Sequence, residues 1–437
     1  MTRAARFVLL TALFVQPLAS FAAEVDAMAL RSVLSYGYGD SSSLNQGQLE
    51  LDPSLSVSFG PDRLLVASAR VRLDAHEALE PGRVPRDNYS RGSRPLELGN
   101  SGSMELRDFY LEFRSDRGLA RFGKQQIVWG RLDGIKVLDV VNPQDFREFI
   151  IDDFADSRTS LWSAYFDYSF GSWRGELALV PDATGHTIPR AGAWFELTAP
   201  RFRFGAPTNS DSPAPVLETV QPGMGLSDTA VGLRLSRQFA SAEFSAVAYS
   251  GIDPEPLGRL LTGSESPVIE RFYERREVLG FSFDLGLGAS VLRAEYAYQP
   301  DRVFNLRGAT GLQTRELNQH RGALGLDLDG PLGAFINIQY VVDSIPNAPD
   351  TLVRPQTDRI GTVFIRRTFA YDALGLEARW YRSFTDDDDL VSLSADYAIN
   401  DSTSVELAMQ SFSGRASGLF GQFSQQDRVM VSLTHTF

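Results

Sequence analysis

The residues best suited to chemistry in this chain are charged, and they crowd into one stretch. From Arg117 to Arg158 the sequence reads RGLARFGKQQIVWGRLDGIKVLDVVNPQDFREFIIDDFADSR. It holds both lysines of the protein, Lys124 and Lys136, together with Gln125, Trp129, Arg131, Asp133, Asp139, Asn142, Pro143, Asp145, Arg147 and Glu148. Opposite charges facing one another across a wet gap create a transverse field, which sorts passing solutes by charge and size. Seven more charged residues are candidates for the facing wall: Asp108, Glu112, Arg121, Arg293, Glu295, Glu377 and Arg379. Taken singly, each of these reads more simply as a solvated charge paired with a neighbour.

Other chemistries find little support. His76, His186, His320 and His435 are scattered without metal-ligand spacing. Cysteine is absent, so there is no thiolate metal site and no disulfide framework. Serine is plentiful, but no GxSxG or comparable nucleophile motif occurs, and the chain is read as a non-enzyme needing no cofactor and no metal. Gly286-Leu287-Gly288 lacks the strand–helix context of a phosphate cradle and reads as a hairpin turn. The run Asp386-Asp387-Asp388-Asp389 reads as a solvated loop tip, with cation bridging between lipopolysaccharide phosphates as the sharper alternative. A net charge of −13 argues against nucleic acid as a partner.

The elements that must position the charged stretch are strands. Val231, Leu233 and Leu235 oppose Arg234 and Ser236; Leu292, Ala294, Tyr296 and Tyr298 oppose Arg293 and Glu295; Leu374, Leu376, Ala378 and Trp380 oppose Glu377 and Arg379. Side chains alternate faces along a strand, so each segment has one apolar and one polar face. Segment length approaches the nine to eleven residues of a tilted membrane-crossing strand. Short turns, such as Gly60-Pro61-Asp62, Gly171-Ser172 and Tyr371-Asp372, alternate with long stretches near 74–103, 127–157, 182–228, 252–275, 299–318, 343–358 and 414–426. That alternation predicts an all-β, transmembrane antiparallel β-barrel of about 18 strands, with 16 as the alternative and both termini in the periplasm. Residues 1–22 read as a signal peptide, with Arg3 and Arg6 before an apolar core and Ser20-Phe21-Ala22 at the cleavage site. Residues 23–437 then form the single barrel. Within it, 127–157 is the third long loop, expected to fold inward as a constriction, with a short helix over Pro143 to Ile150 capped by Asn142.

The last strand ends Val429-Met430-Val431-Ser432-Leu433-Thr434-His435-Thr436-Phe437. It resembles the C-terminal signature of Gram-negative outer-membrane barrels, in which alternate apolar residues, here Val431, Leu433 and Phe437, are recognised by the barrel-assembly machinery. His435 departs from that pattern. The series Gly123-Lys124-Gln125, Trp129-Gly130 and Asn142-Pro143-Gln144-Asp145 is similar to the G-K/R-Q, W-G and N-P-x-D motifs of an uncharacterised porin-like family of proteobacterial outer-membrane proteins. That resemblance implies residence in the Gram-negative outer membrane among lipids and lipopolysaccharide, and passive or weakly selective passage of a small-molecule solute. A homo-oligomer is compatible with it. Because some members are encoded beside exporters, handling of hydrophobic or lipid-like cargo is the alternative. A scaffold or adhesin displaying the Pro- and Ser-rich region 199–228 is a third reading.

Overall fold

The computed structural model describes residues 23–38, 43–76, 86–132, 134–151, 154–204, 216–220, 223–261, 268–308 and 311–437. The signal-peptide reading and Asp133 therefore fall outside the described residues. Eighteen strands form the barrel wall. In chain order they are β1 (Ala23–Gly37), β2 (Ser43–Ser58), β3 (Arg63–Asp74), β4 (Gly102–Ser115), β5 (Gly118–Gln125) and β6 (Leu161–Phe170). Next come β7 (Trp173–Val180), β8 (Ala230–Gln238), β9 (Ala242–Ile252), β10 (Arg275–Leu287), β11 (Ser290–Gly308) and β12 (Gly311–Asp329). The last six are β13 (Phe335–Ser344), β14 (Thr357–Phe369), β15 (Leu374–Ser383), β16 (Asp388–Asn400), β17 (Thr403–Ser413) and β18 (Arg428–Thr436). Each pairs antiparallel with its neighbours, and β18 returns to β1 in a register that sets His435 opposite Leu30 and Arg428 opposite Gly37. Closure leaves no sheet edge, as a wall immersed in lipid requires, because unpaired backbone groups there have no water to bind.

The alternation seen in sequence is turned inside out relative to a water-soluble sheet. On β8, Leu233 is 54% exposed while its neighbour Arg234 is 5% exposed. Leu279, Phe281, Leu324, Ile338, Leu393, Leu407, Val431 and Leu433 likewise lie on the outside, whereas Ser245, Ser282, Glu295, Asn337, Gln339 and Gln410 are buried inside. A soluble sandwich would hide the first set and wet the second. Only an apolar solvent outside and a polar lumen make this arrangement stable. No described helix is long and apolar enough to cross a membrane; the crossing elements are strands.

Two expectations about loops are corrected. The stretch 299–318 is not irregular: β11 and β12 continue as a hairpin past a bulge between Gln299 and Arg302. Phe304, Leu306 and Leu317 on that extension are buried against Ile345 and Leu352 of the following loop, which explains why pairing persists there. The helix expected over Pro143 to Ile150 does not form; among the described residues of this loop the short helix is Phe154–Ser157. Backbone donors at 144–146 are already committed elsewhere. Gln144 N donates to His186 Nδ1 at 2.8 Å, and Phe146 N donates to the carbonyl of Thr187 at 2.9 Å. A further small sheet of Val216–Thr219, Leu257–Leu261 and Val268–Phe272 lies among the long loops.

Candidate functional site

The chain between Gln125 of β5 and Leu161 of β6 enters the barrel interior, and local chemistry fixes its root. Gly123 has φ +137°, and a Cβ there would sit 2.1 Å from the Phe109 carbonyl oxygen. The glycine of the Gly-Lys-Gln motif thus permits the last close approach of β5 to β4 before the chain departs. Asn142 then clasps both limbs of the loop. Its Oδ1 accepts from Ile127 N at 2.8 Å and its Nδ2 donates to the Thr159 carbonyl at 2.8 Å. Pro143 contributes its carbonyl to Thr159 N at 3.0 Å, and Gln125 is buried at the same root.

The first limb, 127–141, is held by an apolar core that charge-based reasoning did not anticipate. Ile127, Trp129, Leu132, Val137, Leu138, Val140 and Val141 pack on Tyr165, Ala178, Val180, Ala230, Val247, Tyr249, Val278, Ala297, Ala323 and Val341 of the wall. Large side chains of the loop meet small ones of the wall. A Cβ on Gly232 would fall 2.5 Å from the Trp129 indole, and one on Gly280 would fall 2.4 Å from Leu138 Cδ2. The signal that could have revealed this core is compositional: inward positions of β7 to β13 alternate charged residues with Gly, Ala and Val.

Polar groups of the wall then satisfy the loop backbone. Glu295, buried at 3% exposure, accepts from Leu138 N at 2.9 Å and from Arg131 N. Gln339 Oε1 accepts from Gly134 N at 3.0 Å, Arg321 donates to the Lys136 carbonyl at 2.9 Å, and Arg276 donates to the Val140 carbonyl at 3.1 Å. A buried loop must find partners for its peptide groups, and here long wall side chains supply them. Replacing Glu295 with glutamine leaves one of two buried donors without an acceptor. The expected cost is about 1–3 kcal/mol, read as a lower urea midpoint of the folded protein in detergent; an unchanged midpoint would show that this carboxylate does not hold the loop.

The second limb, 144–158, reaches the opposite wall. Glu148 pairs with Arg428 of β18 at 2.7 Å. Asp156 pairs with Arg70 of β3 at 2.6 Å, and Asp145 lies 4.0 Å from Arg72. Phe149, in a left-handed conformation with φ 56°, enters an aromatic cluster with Phe195, Phe412, Phe420 and Phe423. The region 191–197 is loop and supplies Phe195. Between the limbs Asp139 pairs with Arg158 at 2.6 Å and lies 3.8 Å from Lys136. Burial lowers Lys136 to about 8, partly offset by Asp139. Burial raises Asp145 to about 6 against the opposing pull of Arg72. A small polar cavity beside this limb is lined by Arg70, Arg72, Tyr89, Ser103, Glu105, Asp145 and Arg147.

The candidate wall residues divide. Glu295 grips the loop, and Asp108 meets Ser160 at its root, 3.4 Å away. Glu112 pairs with Arg121 at 2.5 Å, Arg293 with Asp327 at 2.6 Å and Glu377 with Arg379 at 2.5 Å; these pair along the wall. Arg131 reaches Glu243 and lies 3.6 Å from Asp284. Lys124 lies on the outer face of β5, in register with Phe109 and Trp162, not among the groups facing the lumen. The aspartate run is clasped by protein: Asp386 binds Arg201 at 2.5 Å, Asp387 binds Arg382, Asp388 accepts from Phe420 N and Gly421 N, and Asp389 accepts from Trp380 Nε1. Among the described residues no cluster of three or more His, Asp or Glu side chains is suited to a metal.

Val431, Leu433 and Phe437 all point outward, 44%, 47% and 64% exposed. The outer apolar face therefore runs to the last residue.

Residues 86–356, more than half the chain, match the family described as "Protein of unknown function (DUF1302)". Among solved structures the fold is similar to OccAB1 of Acinetobacter baumannii, with TM-score 0.53 and 9% identity over 94% of this chain and 95% of that one. It is also similar to OccAB3 of the same organism, with TM-score 0.51 and 10% identity over 95% and 99% of the two chains. Salmonella typhi OmpF, solved with daunomycin, aligns at TM-score 0.44 and 11% identity over 95% and 97%. No curated protein matches.

Proposed function

Because the chain belongs to the family described as "Protein of unknown function (DUF1302)" and carries the barrel fold of outer-membrane proteins, we propose that it is a porin-like channel of the outer membrane. Its short turns lie in the periplasm and its long loops outside, which puts both termini on the periplasmic side. Solutes pass down the lumen without an energy source, and the segment 127–157 narrows the path. The observation that carries this reading is that one polar-lined barrel is crossed by one loop seated on both walls, through the Trp129 core on one side and Glu148–Arg428 on the other. The charged groups left around the crossing, Arg70, Arg72, Glu105, Asp145 and Arg147, supply a field of both signs by which small polar solutes are selected. Passive diffusion has no direction of its own and requires neither cofactor nor catalysis.

The test is single-channel conductance in a planar bilayer, comparing wild type with a deletion of Leu132 to Asp153. Discrete steps that grow on deletion are expected. If neither form conducts, the channel reading is abandoned; if both conduct equally, the loop is not the narrowing element.

A further inference from the structure

Arg237 is a cation on the lipid side of the wall. It continues the outward row of β8 after Leu233 and Leu235, whereas Arg234 and Ser236 are buried inside. Opposite residues of an antiparallel pair share a face, and its register partners are Trp173 on β7 and Phe244 on β9. It sits next to the turn after β8, at the end of the barrel that carries the short turns. The guanidinium lies 4.9 Å from the centre of the Trp173 ring and 5.0 Å from that of Phe239. Among the described residues no hydrogen bond or ion pair reaches it, and its Nε is buried without an acceptor. Glu243 and Asp284, on the next two strands, face the lumen and pair with Arg131 instead. A ring face attracts a cation but leaves its N–H donors to be met from outside the protein.

An apolar groove on the lipid face starts at the rung beside Arg237. Gly175, Leu235 and Ala246 form its first rung, and Leu177, Leu233 and Ala248 its second. Each residue of the first rung stands two positions from Trp173, Arg237 or Phe244, on the same strand and the same face. The guanidinium and the groove are therefore one continuous surface. Gly175, Ala246 and Ala248 give the groove its depth, and Leu233 and Leu279, 54% and 52% exposed, form its banks. From Phe244 to Ala248 the strand rises about 14 Å, close to one leaflet of a hydrocarbon core about 30 Å thick.

We propose that this surface binds one glycerophospholipid of the leaflet at the short-turn end. Its phosphodiester takes the donors of Arg237, and one acyl chain lies in the groove. The occupant follows from the match: the groove is apolar and one leaflet deep, and the charge at its rim is positive and without a protein partner. Arginine suits a phosphate because its planar fork meets two oxygens at once, and at the edge of the hydrocarbon that bond is weakly screened. This inference goes beyond the channel reading and takes from it only the side on which the short turns lie.

The test is native mass spectrometry of the delipidated full-length protein in detergent, titrated with palmitoyl-oleoyl phosphatidylethanolamine. Wild type should retain one lipid saturably, and Arg237→Gln should bind it at least fivefold more weakly. Palmitoyl-oleoyl glycerol, which has the same tails and no phosphate, should bind weakly and alike to both. Arg367 serves as the control, since it also stands outward near that rim, 4.4 Å from the Phe369 ring centre, but lines no part of the groove; Arg367→Gln should bind as wild type does. Ala248→Phe fills the second rung, leaves Arg237 in place and should weaken binding about as much as Arg237→Gln. Heat-modified gel mobility reports the folded barrel of each variant, so binding is compared between folded proteins. Equal binding by wild type and Arg237→Gln would overturn the head-group site, and equal binding by Ala248→Phe would remove the tail from the groove. Lipid A retained in preference to the phospholipid, or a protein dimer free of lipid, would overturn the occupant. Conductance is a separate experiment, so failure here leaves the channel reading standing, and the converse holds.

Discussion

Trp129→Ala should be the most damaging single substitution in the inserted loop, costing about 3–5 kcal/mol, the usual range for emptying a buried tryptophan site. The indole is 1% exposed, and the wall has made room for it: Gly232 faces it with no side chain, and Tyr249 and Val247 close around it. Alanine leaves a cavity that the barrel cannot collapse to fill, because the strands are held in register by their ladders on both sides. The described residues of the loop limb 127–141 form no helix or strand, so its position depends on this core and on Glu295. Its release should therefore be visible twice, as a lower unfolding midpoint in detergent and as larger, noisier conductance steps. If the midpoint falls but the steps are unchanged, Trp129 serves stability alone and the first limb does not border the path.

Arg428→Met should act on the far side of the lumen with similar force. Arg428 is fully buried. It donates to Gln410 at 2.6 Å and to Glu148 at 2.7 Å, and its guanidinium stacks 4.9 Å from the centre of the Phe195 ring. Removing one partner of such a pair strands the other, at a cost of about 3–5 kcal/mol. The double variant Arg428→Met with Glu148→Gln should recover much of that loss, since no buried charge then remains alone. A double-mutant cycle on the unfolding midpoints measures the coupling. Strictly additive effects would show that the second limb is not fastened here. Because β18 is also the closing strand, Arg428→Met is expected to slow barrel assembly, readable as a larger unfolded band by heat-modified gel mobility.

The wall was legible because strand alternation is local. A period of two, a run of about ten residues and a turn are properties of neighbouring residues, and the bilayer imposes one rule on all eighteen strands. Glu295 was singled out from its place opposite Leu292, Ala294 and Tyr296, and it does face inward. Its role in gripping the backbone of Arg131 and Leu138 was not visible, since those residues lie more than 150 positions away. Lys124 was misplaced for a related reason. It was grouped with the inward loop by proximity in sequence, whereas pairing with Phe109 and Trp162 decides its face. The helix over Pro143 to Ile150 had good capping residues, but Asn142 is spent on Ile127 and Thr159 and the next donors on His186 and Thr187.

The residue pattern alone establishes the all-β barrel, its apolar exterior and the place of the stretch 127–157 that departs from alternation, while leaving the strand count between 16 and about 18. How that stretch is seated follows only from the closed fold. Gly232, Gly280, Ala297 and Val341 are unremarkable on their own strands and become a socket only when closure brings them to one side of a lumen opposite Arg428. Solvent selects the outer face residue by residue, so local pattern reveals it; the inner face is selected by contacts between distant segments, and those exist only after the ring has closed.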